Sequence, residues 1–220
     1  MVGPGRSAVK PGWPLAPDAG GGYKRDMNDV GDSGLVRQVL DFWFGAPGSA
    51  EHGHKREAWF EVDAGFDADI RERFGDATEA ASRGELDHLA TAADGALALL
   101  ILLDQFPRNL YRGTPRSFAS DAKACEVATA AVERGFDVEL SDVERQFIYL
   151  PFEHSENLAD QECSCDLFAT IDDGGDGLDW AERHHRVIQR FGRFPHRNAV
   201  LGRETTAEEQ AFLDETPHGF

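Results

Sequence analysis

The sequence predicts an all-α protein, arranged as an antiparallel array of about eight helices. From residue 33 onward, apolar residues recur at the three- and four-residue spacing of a helix with one buried face. Capping residues, glycines and prolines divide this pattern into segments joined by short connections, which favour antiparallel neighbours. No segment shows sustained alternation of polar and apolar residues between hairpin turns, so no strand is predicted.

The first half of the chain contains three predicted helices with clear ends. One opens at Ser33 and stops at Gly45, and the next ends at Gly84, because glycine commonly follows the last helical residue. The segment 97–106 is apolar on every side, as expected of a helix surrounded by other helices. Pro107 disfavours a helical conformation in the residue before it, so we expect this helix to end there.

The second half of the chain carries capping signals at predicted helix starts. The capping box Ser141–Glu144 offers a hydroxyl and a carboxylate to free backbone N–H groups, and the segment 205–209 (TTAEE) gives a similar signal. The segment 172–177 (DDGGDG) lacks the spaced ligands and distal glutamate of a calcium loop, so we expect a turn. Further helices are predicted over residues 117–134, 155–171, 178–191 and 206–213.

The chain is expected to form one folded domain after an N-terminal tail. Residues 1–32 are rich in Gly and Pro with almost no apolar periodicity, so they cannot bury enough surface to offset the entropy of ordering. We predict that this segment is disordered or is a mis-annotated extension, with Met27 as the natural start. Residues 33–220 are predicted to form a single all-α domain.

The composition is strongly acidic, with 40 Asp and Glu against 22 Lys and Arg and a net charge of −18. Such a surface repels phosphate backbones and anionic lipid, so neither nucleic acid nor a membrane is an expected partner. Only four of the cationic residues are lysines, so arginine supplies most of the positive charge. Its planar fork of donors suits paired or buried positions. The oligomeric state is left open.

Cysteine use and hydropathy favour a cytoplasmic protein. Three cysteines are an odd number, and the N-terminus lacks the continuous apolar stretch of a secretory signal, so reduced thiols are expected. The longest apolar run, residues 96–103, is too short to span a bilayer.

A short motif occurs twice, each time at the end of a long helical pattern. Residues 103–109 read LDQFPRN and residues 194–198 read FPHRN, so an Arg-Asn pair follows a proline in both. The two arginines, Arg108 and Arg197, lie 89 residues apart. This repetition suggests two helical hairpins whose similar loops occupy equivalent positions, although it is not a periodic repeat.

A polar stretch lies between the two copies, at residues 150–157 (LPFEHSEN). We expect the turn after Pro151 to bring Glu153 and His154 to a helix N-terminus. A carboxylate is favoured at such a terminus, and an anion can bind there.

Four motifs in a fixed order resemble the DUF924 family of bacterial-type proteins. They are VLDFWFG at 39–45, LILLDQFPRNLYRG at 100–113, YLPFEHSE at 149–156 and RFGRFPHRN at 190–198. The resemblance runs from about residue 35 to the C-terminus, and four long motifs make it specific. It implies a tetratricopeptide-like all-α fold and supplies no function.

Two classes of function fit the polar residues, beside a purely structural role as a buried ionic staple. The first is a binding module for a small anion or an acidic peptide, because forked Arg donors and Asn amides suit carboxylate and phosphate. Its expected ligand-binding residues are Arg108, Asn109, Arg112, Arg197, Asn198 and His184.

The alternative is a hydrolase-like enzyme acting on an anionic substrate, with or without the assistance of a metal. Glu153 or Glu156 would act as a general base and His154 or His196 as a general acid. Displaced pKa values inside one closed pocket would favour an enzyme, and an open groove with ordinary titration would favour a binding module. No histidine joins the two glutamates at the i, i+3 or i, i+4 spacing of helical zinc sites, and no nucleotide fingerprint occurs, so neither metal nor cofactor is predicted.

Overall fold

The computed structural model describes residues 29–59 and 61–216, and every regular element in that part of the chain is helical. The all-α prediction is therefore confirmed. The predicted disorder over residues 1–28 and the proposed start at Met27 lie outside the described residues. The described part contains nine α-helices: α1 Asp29–Phe44, α2 Ala64–Ser82, α3 Ala93–Leu100, α4 Phe106–Leu110, α5 Asp121–Glu133, α6 Asp142–His154, α7 Leu158–Phe168, α8 Asp176–Phe191 and α9 Ala207–Glu215.

Helix α1 begins earlier than predicted. It starts at Asp29, so both the expected first residue, Ser33, and the predicted boundary after residue 32 lie inside the helix. The carboxylate of Asp32 lies 2.9 Å from Nε2 of His88, in the segment that follows α2. This long-range contact holds the first turn against the rest of the fold, which local sequence patterns do not reveal.

The centre of the fold is α3 and the turn that follows it. Helix α3 packs against α1, α5 and α6, while α5, α6, α7 and α8 pack successively on one another. Every residue from 96 to 103 is at most 1% exposed, which confirms the prediction of a helix surrounded by others. Each buried Leu or Ile there stabilises the fold by roughly 1.5–3 kcal/mol.

The expected helix end before Pro107 is wrong. Residues Ile101–Gln105 form a π-helical turn that runs directly into α4, and Phe106 is helical, with φ −59° and ψ −37°. Proline leaves the carbonyl of Leu103 without its usual N–H donor, but the Ser120 hydroxyl donates to that carbonyl at 2.6 Å. The chain therefore stays helical past the proline because a side chain from a later segment supplies the missing hydrogen bond.

Pro151 also lies inside a helix, and this changes the position of two candidate residues. Helix α6 continues through Pro151 to His154, so Glu153 and His154 occupy its last turn. The expected placement of both at a helix N-terminus is therefore wrong. Phe147 and Phe152, on either side of the proline, are each 1% exposed, and their burial offsets the roughly 3 kcal/mol cost of an interior proline.

The predicted capping boxes are confirmed, and the turn predicted over residues 172–177 is confirmed as far as Gly175, because α8 already begins at Asp176. The Ser141 N–H donates to Glu144 at 3.0 Å, and Thr206 and Glu209 exchange hydrogen bonds at the start of α9. Lys55 contacts both the turn before α8 and the first residue of the helix. Its Nζ lies 3.5 Å from Asp173 and 2.8 Å from Asp176. None of the described helices combines the length and apolar character needed to cross a membrane.

Candidate functional site

The two copies of the repeated motif bring their arginines to one carboxylate, that of Asp121 at the start of α5. Arg108 donates to both Asp121 oxygens, at 3.0 and 3.1 Å, as a fork. Arg197 donates to one of the same oxygens at 3.3 Å. The structure therefore places the two predicted arginines in one cluster, although the motifs lie on different helical segments.

The asparagines of the two motifs point elsewhere. Asn109 donates to Asp67 of α2 at 2.7 Å, and Arg112 lies 3.3 Å from the same carboxylate. Asn198 is fully buried and donates to Glu209 at 3.3 Å. Because successive helical residues are rotated by about 100°, a residue beside an inward-facing arginine faces a different neighbour. Of the expected ligand-binding residues, Asn109, Arg112 and Asn198 are thus kept away from the two-arginine cluster.

His154 forms a dyad with Asp104, a buried carboxylate in the π-helical turn. Its Nδ1 lies 2.8 and 3.0 Å from the two oxygens of Asp104, which is 1% exposed. A carboxylate only accepts hydrogen bonds, so Nδ1 carries the proton and Nε2 keeps its lone pair. This is the arrangement by which an acidic residue orients a histidine as a base.

The charges around the dyad hold Asp104 ionised and His154 neutral. Burial alone would raise the pKa of Asp104, but Arg108, 3.0 Å away, and His154 outweigh it and lower that pKa to about 2. The pKa of His154 is lowered by burial and then by Arg108, against the opposing effect of Asp104. At neutral pH the imidazole is therefore free to accept a proton.

Glu153, the residue before His154, is a buried carboxyl group whose pKa is raised, whereas that of Asp104 is lowered. It is 4% exposed, and burial, followed by the charge of Asp104, raises its pKa to about 8. One of its oxygens lies 3.3 Å from Nδ1 of His184. That nitrogen also lies 2.9 Å from the Trp180 carbonyl oxygen, so it carries a proton, and burial lowers the pKa of His184 to about 3. At neutral pH both groups are uncharged.

Arg197 is the least completely paired cation of the cluster. It is 6% exposed, and its Cζ lies 4.6 Å from the ring centre of Phe118 and 4.4 Å from that of Phe194. Its Nε is buried and has no hydrogen-bond partner among the described residues. Burial lowers the pKa of Arg197 to about 10, so the guanidinium stays charged at neutral pH.

The remaining two candidates have different surroundings. Glu156 forms a forked ion pair with Arg203 at 2.7 and 3.0 Å and accepts the Phe194 N–H at 2.8 Å, so it anchors the loop after α8. His196 is exposed at the surface, with its ring 5.6 Å from that of Phe194, and partial burial and Arg197 lower its pKa.

Seven side-chain contacts, together with the peptide link between Glu153 and His154, join eight residues into a ring. The ring draws its members from six parts of the fold: α6, the π-helical turn, α4, α5, the loop after α8, and α8. His154 and His184 each keep 16% of their side-chain surface exposed, so the ring is open to solvent. In order the members are Glu153, His184, Phe194, Arg197, Asp121, Arg108, Asp104 and His154.

Three members of the ring, Phe194, Asp104 and Asp121, were not predicted as site residues from the sequence; Phe194 lies within the repeated motif itself. Asp104 carries a visible signal, because it is the one charged residue between 96 and 106, in a segment that is otherwise apolar except for Gln105. Asp121 carries none, since it opens a helix where an acidic residue is common anyway. In the described residues, no group of three or more His, Cys, Asp or Glu side chains is arranged to hold a metal ion.

Comparison with known proteins identifies the family. A family model described as "Bacterial protein of unknown function (DUF924)" matches residues 39–217. A solved structure, a protein of unknown function, ATU0120, from Agrobacterium tumefaciens, shares 45% identity with a TM-score of 0.75 and covers 83% of this chain and 98% of its own. The comparison with curated proteins gives no match. The resemblance of the four motifs is thereby confirmed, and the chain belongs to the DUF924 family.

Proposed function

We propose that the ring of eight residues binds a small anionic ligand, with Arg197 as its principal contact. The supporting observation is the incomplete pairing of this buried guanidinium, which has five N–H donors and, among the described residues, a single hydrogen bond at 3.3 Å. A buried polar group without partners costs about 1–3 kcal/mol, more when it is charged. Because the Nε atom has almost no accessible surface, a carboxylate or phosphate would accept from the Nη groups, which make one 3.3 Å hydrogen bond to the described residues.

The two arginines have different roles in this proposal. Arg108 donates to both oxygens of Asp121, to the Asp104 backbone carbonyl at 2.6 Å, and lies 3.0 Å from the Asp104 carboxylate. Its fork is therefore occupied by protein groups. Arg197 shares one oxygen that Arg108 already uses, so it has donors to spare. We assign Arg108 to holding the site together and Arg197 to binding the ligand.

The ligand is expected to be small and to carry one negative charge where it meets Arg197. Asp104 and Asp121 already balance the two arginine charges, so the site has little capacity for a multiply charged group. The net charge of −18 disfavours nucleic acid and anionic membranes as partners. The antiparallel, tetratricopeptide-like arrangement and the cytoplasmic location remain parts of this proposal, as does an acidic peptide whose carboxylate takes the same place.

The test is ligand-dependent thermal melting of three proteins, with acetate, succinate and inorganic phosphate as probes. Wild type and Arg112→Gln should melt higher in the presence of a bound anion, and Arg197→Gln should not. Arg112 is the matched control, because it is an arginine of the same motif region that pairs with Asp67 outside the ring. A probe at a hundred times its dissociation constant adds about 2.7 kcal/mol, or roughly 5–10 °C.

Two outcomes would contradict the proposal. One is an equal shift in Arg197→Gln and wild type, which would place the anion elsewhere. The other is the absence of any shift in wild type with all three probes, together with a lower melting temperature for Arg197→Gln alone. That combination would show that the cluster is a structural staple.

A further inference from the structure

The Asp104–His154 dyad joins the end of α6 to the π-helical turn, and it also has the geometry of an oriented base. A histidine that only filled space at the end of α6 would be satisfied by one acceptor. Here both oxygens of a buried carboxylate hold Nδ1, at 2.8 and 3.0 Å, and Arg108 holds that carboxylate in turn at 3.0 Å. This arrangement fixes the tautomer and the direction of the Nε2 lone pair, which is the requirement of a general base.

The next residue along the chain supplies the complementary group. Glu153 is buried beside His184 in the last turn of α6 and belongs to the same ring as Arg197. Its raised pKa keeps the carboxyl group protonated at neutral pH. One buried base and one buried acid next to an anion-binding arginine are the components of a hydrolytic site.

We infer that this site hydrolyses an ester or amide that carries a separate carboxylate, with His154 as the general base and Glu153 as the general acid. The inference rests on the proposed function, since Arg197 holds the substrate's carboxylate. It also reverses the roles expected from the sequence, in which a glutamate was the base and a histidine the acid. An acyl substrate is favoured over a phosphate monoester, because transferring a phosphoryl group needs several cations and Arg197 is the one incompletely paired arginine of the ring.

The reaction balances with water as the only co-reactant. His154 Nε2 takes a proton from a water molecule as its oxygen forms a bond to the acyl carbon. The bond from that carbon to the leaving oxygen or nitrogen then breaks, and the leaving atom takes the proton of Glu153. Solvent returns the proton from the His154 imidazolium to the Glu153 carboxylate, which restores both groups.

Two monoesters of succinic acid test the inference with the full chain. The para-nitrophenyl ester has a good leaving group that needs little protonation, while the methyl ester has a poor one that needs an acid. Wild type should hydrolyse both with saturation kinetics, and para-nitrophenyl acetate, which has no carboxylate, should be a poorer substrate with a higher KM. Arg197→Gln should raise the KM of the succinate esters at least tenfold, and Arg112→Gln should change neither kcat nor KM.

The acid and base variants separate the two roles. His154→Gln should lower kcat for both esters by about a hundredfold or more. Glu153→Gln should lower kcat for the methyl ester at least tenfold more than for the para-nitrophenyl ester. Asp104→Asn tests positioning, and it should move the acidic limb of the pH–rate profile, because the base loses the carboxylate that supports its protonated form.

The inference is overturned if wild type hydrolyses neither succinate ester faster than buffer, or if folded His154→Gln retains the wild-type rate. Failure of the inference is distinguishable from failure of the proposed function by measuring the binding of succinate itself. Succinate that binds wild type and not Arg197→Gln, without any ester hydrolysis, leaves a binding site and removes the catalytic role. A circular dichroism melt of each variant identifies any loss of activity that comes from unfolding.

Discussion

Glu153→Gln is expected to change the pH dependence of stability in a defined direction. Glutamine keeps the size of the side chain and an oxygen that can accept from the Nδ1–H of His184, 3.3 Å away, but it removes the ionisable proton. Wild type holds a carboxyl group with a folded pKa of about 8 against an ordinary value of 4.5. The unfolded chain therefore ionises first as the pH rises, which favours unfolding of wild type and not of the variant.

The size of the effect follows from proton linkage. The stability associated with Glu153 is fully present below pH 4.5 and is lost as the pH rises through about 8. Between pH 5 and pH 9 the loss amounts to about 4 kcal/mol relative to the variant. For a domain of this length, that corresponds to a difference in melting temperature of roughly 8–16 °C.

Other titrating groups near Glu153 cancel in this comparison. His184 on α8, Asp104 in the π-helical turn and the adjacent His154 face the same space in both proteins. The pKa of His184 is lowered to about 3, so it stays neutral from pH 5 to pH 9 with or without Glu153. The difference between the two stability curves therefore isolates the carboxyl group.

The assay is urea denaturation of wild type and Glu153→Gln at pH 5, 6, 7, 8 and 9, analysed at a common m-value. The free energy of unfolding of wild type should fall relative to that of the variant at each step up to pH 8 and then level off. Parallel curves would refute the raised pKa. A wild type that gained stability relative to the variant with rising pH would show that Glu153 is ionised and paired in the fold.

Two further predictions concern the scaffold. Ser120→Ala removes the side-chain donor that the described part of the chain offers to the Leu103 carbonyl. It should cost about 1–3 kcal/mol in urea denaturation, whereas a loss below 0.5 kcal/mol would mean that the π-helical turn relaxes without it. Lys55→Met breaks two ion pairs at a side chain that is 40% exposed, so the melting temperature should stay within about 2 °C of wild type, and a drop of 5 °C or more would show that this lysine orders the turn before α8.

Local rules predicted the helices, and they failed where distant residues repair a local cost. The buried segment 96–103 and the two capping boxes followed from periodicity and capping chemistry within a few residues. Pro107 and Pro151 are local helix breakers, but each lies within a continuous helical stretch. The first is rescued by the hydroxyl of Ser120, thirteen positions later, and the second by burial of its neighbours. A sequence pattern contains no sign of either compensation.

The candidate site was predictable in its residue types and not in its geometry. The repeated motif drew attention to two arginines, each of which follows a proline at a helical segment. In the structure both contact the carboxylate of Asp121. The direction in which Asn109 and Asn198 point depends on their position around the helical turn. A shift of one residue would turn either side chain toward a different neighbour, so the sequence alone does not show whether it contacts the arginines. The acid and base roles also depended on structure, since burial raises the pKa of Glu153 and Asp104 fixes the tautomer of His154.

The two arginines of the repeated motif differ in how many of their donors are used. Arg108 places both Nη groups on protein acceptors, as a structural role requires. The second copy of the motif has no counterpart of Asp104 four residues before its arginine; Arg193 stands there instead and pairs with Glu209. Arg197 is therefore left with a shared oxygen of Asp121 and with donors that have no acceptor among the described residues. An imperfect repeat, with His196 added between the proline and the arginine, has thus produced one arginine that completes the scaffold and one that is incompletely paired, which is the basis of the proposed ligand contact.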